Sequence, residues 1–560
     1  MKRNEFEILK TPFEEDLNEC VWQEYPRPQM RRESFLNLNG KWQFSIRKKD
    51  SEKDIGEILV PFPPESRISG IERLFNKNDL LIYRREFSLT DGFQNDRVLL
   101  HFGAVDQYCR VYINNRFVGE HTGGYIPFYF DITNQIKQGK NMLTVEVSDP
   151  LDIELPYGKQ CKKRGGMWYT VTSGIWQTVW IESVPDRYIE RIKITPDVDK
   201  VLIEVIGGDT QKTLLLSGES YSFENSIEIK IDHPICWTPD NPKLYNFTII
   251  SGKDTVKSYF ALRKVEIKGK NILINGKPQF FHGLLDQGYF SDGIYLPATE
   301  KGFENDITTM KKLGFNMLRK HIKIEPEIFY YYCDKYGMFV FQDLVNSGKY
   351  NFFVDTALPT VGLKSGISHR ASKKRRKAFE TTAEETLDLL YNHPCVVYYT
   401  LFNEGWGQYD AVRLYKQMKS LDPTRVWDAT SGWFQTGESD VLSEHIYFKP
   451  LKLKNDGRPL VLSEFGGYSY KESGHVFNTK NTYGYKFYKD IDEFRKGLYE
   501  LYTEQVLPAI ENECLCAAVL TQVSDVEDET NGLFTYDRQV LKVNETKMKE
   551  ISKRLYKAYK

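Results

Sequence analysis

From about residue 30 to 185, apolar and polar residues alternate with a period of two in short runs such as GKWQFSI, LIYRREFSL, YCRVYINNRFVG and NMLTVEVSD. Gly, Asn and Asp stand between the runs. Alternation of this kind gives each strand one inward and one outward face, and closely spaced turns join the strands into an antiparallel sandwich. Residues 186–263 repeat the pattern on a smaller scale, with WTPDNPKLY (237–245) as a loop, and predict an immunoglobulin-like sandwich. Beyond about 264 the texture changes. Apolar runs with no polar alternation, as in a parallel sheet covered on both faces, now alternate with stretches of helical period. The predicted strands are 278–283, 316–321, 338–343, 396–404, 425–432, 441–447, 459–466 and 517–525. Eight such units over roughly 250 residues predict a TIM barrel. The expected organisation is a jelly-roll domain at 1–185, an immunoglobulin-like sandwich at 186–263 and a barrel at 264–560. The long link from 344 to 378 reads as an excursion over the barrel mouth. Its basic run Lys373–Lys377 reads as a solvated helix start.

In a barrel of this kind the chemistry sits where the strands end. The strand ends offer His282, Arg319, His321, Asp343, Asn403, Glu404, Asp428, Glu444, His445, Tyr447, Glu464, Gln522 and Asp525. Glu404 ends the fourth predicted strand and Glu464 the seventh, nearly across the barrel from one another. Two carboxylates about 5–5.5 Å apart support double displacement at an anomeric carbon, one as acid/base and one as nucleophile. The spacing predicts Glu404 as the acid/base, with a proton affinity raised by apolar walls such as Phe402 and Trp406 and by the second carboxylate. Glu464 is then the nucleophile, Tyr447 its hydrogen-bond donor, and Asn403 the partner of the neighbouring sugar hydroxyl. A lone carboxylate at a strand end is more often a helix cap or an ion-pair partner, and Asp343, Glu444 and Asp525 are rivals. Metal-dependent hydrolysis through His282, His321, His445 and a carboxylate is a second reading. It is disfavoured because the nine histidines form no ligand-spaced cluster.

Composition narrows the rest. Lys and Arg number 76 against 77 Asp and Glu, a net charge of −1, so no basic surface for nucleic acid or an anionic membrane is expected. The eight cysteines are scattered and read as reduced core residues, Cys514-Leu515-Cys516 included. The first twenty residues hold no apolar signal core, and no run of 18 apolar residues occurs, so a soluble cytoplasmic protein is expected. Association into a homo-oligomer is left open.

Longer motifs carry a resemblance. FLNLNGKWQF (35–44), HFGAVDQYCRVYINN (101–115) and SGIWQTVWIE (173–182) lie in the sandwich. NGKPQFFHGLLDQGY (275–289), GFNMLRKH (314–321), FNEGWG (402–407), LSEFGG (462–467) and TQVSDVEDETNGLFTYDR (521–538) lie in the barrel. The chain resembles glycoside hydrolase family 2, and nearly its whole length takes part. The resemblance implies the three domains above and a retaining exo-β-glycosidase; no cofactor is expected. It implies Asn403-Glu404 as the acid/base motif, Glu464 as nucleophile, and Tyr447 in His445-Ile446-Tyr447 as the tyrosine that orients it. His282, Arg319 and His321 fall in the family's first two strand motifs. Where large β-galactosidases hold magnesium after strand 3 this chain reads FQDLVNSGKY, so no metal is expected. Where β-glucuronidases carry an Asn-x-Lys grip on the uronate, it reads Asp528-Glu529-Thr530-Asn531. Two acids favour a neutral sugar, a β-galactoside first. Activity on a β-glucuronide, β-mannoside or α-L-arabinoside, and a carbohydrate-binding protein without catalysis, are the alternatives. Asp286, Gln287, Trp433, Gln522 and the 344–378 excursion are the candidates for specificity, and Trp406 for walling the acid or stacking on the sugar.

Overall fold

The computed structural model describes all residues except 1–5, 50, 91, 94, 361–370, 448 and 560. The N-terminal sandwich packs a six-stranded antiparallel sheet on a four-stranded one. In the strand Lys140–Ser148 the exposure alternates residue by residue, with Leu143, Val145 and Val147 inward, as the period of two requires. Those side chains join Trp42, Phe44, Tyr83 and Leu100 in a core separate from that of the barrel. A smaller two-sheet unit follows, with a three-stranded sheet over Ile189–Lys230 and a four-stranded sheet over Lys212–Phe260, around its own core of Ile203, Leu214, Phe247 and Val256.

Eight parallel strands form the barrel. They are β1 (Phe281–Asp286), β2 (Met317–Lys320), β3 (Phe339–Asp343), β4 (Val396–Thr400), β5 (Val426–Asp428), β6 (Leu442–Ile446), β7 (Leu460–Gly466) and β8 (Leu515–Thr521). Their order around the sheet is 5-4-3-2-1-8-7-6. No ladder joins β5 to β6 among the described residues, but Ser443 Oγ donates to the Thr430 carbonyl at 3.3 Å across the gap. Each predicted barrel strand overlaps an observed one. The shift at β1 has consequences, because the strand begins at Phe281 and ends at Asp286. His282 therefore sits near its bottom and not at the mouth.

Two connections close over the mouth. The sandwich chain leaves its sheet after Ser148 and returns at Val179, and this long segment lies against the barrel. Tyr157 donates from its backbone to the Asn346 carbonyl at 3.1 Å and from its hydroxyl to Gly348 at 2.9 Å. In the excursion after β3, residues 361–370 lie outside the described residues. The helix Lys373–Leu390 follows, capped by Ser372 accepting from the Arg375 backbone. Its basic run is only partly solvated, since Arg375 is buried and donates to the Gly407 carbonyl. No helix among the described residues is long and apolar enough to cross a membrane.

Candidate active site

Adjacent residues on a strand point to opposite faces, so β2 sends Arg319 into the barrel and Lys320 out of it. Arg319 is 1% exposed and organises the mouth. Its Nε donates to Asp343 Oδ1 at 3.0 Å, its Nη1 to Glu464 Oε1 at 2.9 Å, and its Nη2 to Asn403 Oδ1 at 2.9 Å. Asn403 Oδ1 also accepts from Ser431 Oγ at 3.0 Å. Asp343 holds His321 through Nδ1 at 2.8 Å. One guanidinium thus ties the ends of β2, β3, β4 and β7 together.

The two glutamates meet through His445. Its Nδ1 lies 2.9 Å from Glu404 Oε1, and its Nε2 lies 3.7 Å from Glu464 Oε1 and 3.4 Å from Arg319 Nη1. Arginine can only donate, so in a neutral His445 the Nε2 accepts and the Nδ1 proton goes to Glu404. One reactive atom each from Glu404, His445 and Glu464 lie within 4.8 Å of one another. The other oxygen of Glu464, Oε2, accepts from the Tyr447 hydroxyl, and Tyr447 stacks on Tyr485 at 3.8 Å.

The backbone at Glu404 is unusual. It takes a left-handed φ of 52°, followed by Gly405 at 69°. A Cβ on Gly405 would come within 2.4 Å of the Phe434 ring, so only glycine lets the chain turn there. Holding a residue with a Cβ, as Glu404 has, in this region costs about 1–3 kcal/mol, a strain typical of functional sites.

Environment separates the two carboxyls. Burial pushes the Glu404 carboxyl up, and Glu464 adds to this, while His445 opposes it. Burial alone would raise Glu464 too, but positive charge from His445, Arg319 and His321 outweighs it and brings Glu464 down to about 2. Arg319 supplies that charge at every pH. His321, pushed down to about 4 by burial, is neutral near pH 7.

The structure gathers Asn403, Glu404, Arg319, His321, His445, Tyr447 and Glu464 into one cluster, and Trp433 lines the adjoining cavity of about 450 Å³. It places four expected site residues elsewhere. His282 packs outside the barrel, 4.2 Å from the Phe315 ring, with Nδ1 3.1 Å from Ser552 Oγ. Asp286 pairs with Lys320 at 2.7 Å on the outer face. Trp406 is 3% exposed, donates to the Gly348 carbonyl at 3.1 Å and stands edge-on to Trp168 and Tyr157, so it braces the sandwich segment. Gln522 lies one layer back, donating to Glu529 at 2.6 Å and Asn531 at 2.7 Å. Phe402 likewise stacks outward on Phe379 and does not wall the acid. Of the rival carboxylates, Asp343 is held by Arg319 and His321 and Asp525 by Lys542 at 2.7 Å. Asp528 is turned away as well, accepting from Asn478 at 2.7 Å beside Arg164.

Several lining residues escaped the sequence reading. Tyr483 and Tyr485 come from the loop after β7, and Met167 comes from the sandwich segment. The length of that segment between two sandwich strands was the available signal, since structureless connections beyond about 12–15 residues are usually functional. Among the described residues, Glu404, His445 and Glu464 are also the one set close enough to share a metal ion. Arg319 already places a fixed positive charge 2.9 Å from Glu464 there, and a divalent cation would meet it directly.

Comparison with known proteins gives the family. Residues 265–557 match the family model described as "Glycosyl hydrolases family 2, TIM barrel domain", and residues 68–185 the one described as "Glycosyl hydrolases family 2, sugar binding domain". The chain is 26% identical over 438 residues to a β-galactosidase of Thermoanaerobacter pseudethanolicus, covering 71% of this chain and 54% of that protein. It is 23% identical to a β-galactosidase of Vibrio vulnificus, covering 80% of this chain and 45% of that protein. The chain thus spans about half the length of the curated relatives it matches. Among solved structures, a β-D-glucuronidase of Dictyoglomus thermophilum superposes with a TM-score of 0.75 at 18% identity, covering 95% of this chain and 98% of that one. A family 2 β-galacturonidase of Eisenbergiella tayi gives 0.71 at 19% identity, covering 94% and 97%. At such identities these structures speak for the fold alone. The barrel match spans more than half of the chain, and the protein belongs to family 2 of the glycosyl hydrolases.

Proposed function

We propose that the protein is a retaining exo-β-glycosidase that cleaves the terminal bond of a neutral β-glycoside, a β-galactoside first, through a covalent glycosyl-enzyme. The observation that carries this is one pair of carboxyls, bridged by His445, whose surroundings push their proton affinities apart. Glu464, ionised beside Arg319, attacks the anomeric carbon. Glu404 gives its proton to the leaving oxygen, then recovers one from the water that hydrolyses the intermediate. Tyr447 aims Glu464. Asn403, with its carbonyl oxygen occupied by Arg319 and Ser431, is left with its amide N–H groups for the hydroxyl beside the anomeric carbon.

A neutral sugar suits the charge of the pocket. Asp343 and Glu464 are held ionised and are balanced by Arg319 and Lys159, while burial favours the protonated forms of Glu404 and Glu529. A uronate would leave that balanced set with a net negative charge. The test is hydrolysis of nitrophenyl β-galactoside, β-glucoside, β-mannoside, β-glucuronide and α-arabinoside, with the anomer of the first product read by NMR. Turnover of a neutral β-glycoside with retention is expected. Turnover of none, or inversion, contradicts the proposal.

A further inference from the structure

The segment Tyr157-Gly158-Lys159-Gln160 belongs to the sandwich chain but crosses the end of β2. Both flanks of Lys159 are fastened. Tyr157 is fixed on Gly348, and Gly158 passes so close that a Cβ would stand 2.9 Å from the Ile322 carbonyl. Gln160 is buried, donating to Asp106 at 2.8 Å and accepting from the Thr172 backbone at 2.8 Å. Lys159 itself is half-buried, and its ammonium has no hydrogen bond or ion pair among the described residues. It lies 5.9 Å from the ring centroid of Tyr169, whose hydroxyl donates to Glu529 at 3.0 Å. A second unsatisfied group lies one residue from the Gly158 contact with Ile322. His321 gives its Nδ1 to Asp343, which leaves Nε2 as an acceptor, and that buried Nε2 has no partner. Lys159 is near enough for its charge to act on His321, Glu404, Glu464 and Glu529 together.

We propose that Lys159 is a specificity-determining residue supplied by the sandwich domain: its ammonium donates to a hydroxyl of the neutral sugar whose neighbouring hydroxyl donates to His321 Nε2. This rests on the glycosidase reading above. A sugar hydroxyl both accepts and donates, so one pair of vicinal hydroxyls satisfies a donor and an acceptor that have no partner among the described residues. The barrel then holds the reacting end of the sugar, and the sandwich holds the far edge.

The experiment compares wild type with K159M, which keeps the aliphatic stem, and K159R. It reads kcat, KM and the pH profile on nitrophenyl β-galactoside, and calorimetric binding of methyl β-galactoside and methyl β-glucuronide. K159M is expected to lose about tenfold to hundredfold in kcat/KM and in galactoside binding, the range for a hydrogen bond to a charged group. K159R should recover part of the loss. Removing the positive charge near Glu404 should also move the alkaline limb of the profile to higher pH, a shift that a purely structural lysine would not produce. A kcat/KM within twofold of wild type with an unmoved limb overturns the proposal. So does a loss confined to the glucuronide, which would mean carboxylate recognition. Should wild type turn over no glycoside, the glycosidase reading fails and binding decides alone: galactoside binding lost in K159M supports Lys159, and equal or absent binding overturns it. If K159M does not fold, K159Q carries the same comparison.

Discussion

Arg319 and Lys320 are neighbours on one strand and both are buried cations, yet they serve different ends. On the outer face, Lys320 pairs with Asp286 and Glu325, each at 2.7 Å, while Lys323 pairs with Glu325 at 2.9 Å and Arg538 with Asp306 at 3.2 Å. Every cation there has a carboxylate from the protein itself. On the inner face, Arg319 holds one glutamate ionised, the second glutamate is pushed towards its protonated form, and His321 Nε2 and the Lys159 ammonium have no partner among the described residues. A buried network whose cations pair with the protein's own carboxylates supports a fold, even where carboxylate oxygens such as Glu325 Oε2 and Asp306 Oδ1 are left over. One that leaves donors and acceptors open beside a cavity is waiting for a ligand.

Substitutions on the two faces should therefore fail in different ways. The largest effect is expected for Glu464→Ala, which should lower kcat by on the order of 10⁴-fold or more, as removal of a nucleophile does. Thermal unfolding should show a modest loss of stability, because Arg319 loses one of its two carboxylate partners and keeps Asp343. Next, Glu404→Gln should cost about 10²–10⁴-fold with poor leaving groups and much less with nitrophenolate, which needs no proton. Its pH profile carries a sign. The raised affinity of Glu404 means activity is present while that group is protonated and is lost as pH rises through its pKa. The alkaline limb should therefore lie above the ordinary range for a glutamate, and E404Q should abolish it.

Lys320→Met tests the other face. Stranding Asp286 without its cation, with Glu325 left to Lys323, should cost on the order of 3–5 kcal/mol of folding stability, read as a lower denaturant midpoint. Protein that remains folded should keep kcat, since Lys320 makes no contact with the inner cluster; a large fall in kcat at unchanged stability would break the contrast. Tyr447→Phe is milder. Losing one hydrogen bond to the ionised Glu464 should cost about 10–100-fold in kcat/KM. The smallest effect is expected from chelation, which should leave activity unchanged because Arg319 occupies the charge position a metal would need.

Much of this was legible in the sequence for a local reason. The change from alternating to continuous apolar runs marks the passage from sandwich to parallel barrel, and strand position singles out Glu404 and Glu464 from other glutamates. His282 was misplaced because β1 starts three residues later than its apolar run suggests, which moves the histidine to the bottom of the strand. Trp406 was misread because a tryptophan after an acid can turn to either side, and here the sandwich segment offers it Trp168 and Tyr157. Lys159, Met167 and the tyrosines after β7 reach the site across domains or long loops. No periodicity in the chain reports such contacts.

The central claim is that Glu464 bonds to the sugar. Incubation with a 2-deoxy-2-fluoro-β-galactosyl fluoride slows breakdown of the intermediate enough to trap it, and digestion with mass spectrometry locates the sugar. A single galactosyl adduct on the peptide containing Glu464, formed as activity is lost and released as activity returns, is the predicted result. An adduct on another carboxylate, or none on an enzyme that still turns over the substrate, would contradict the account.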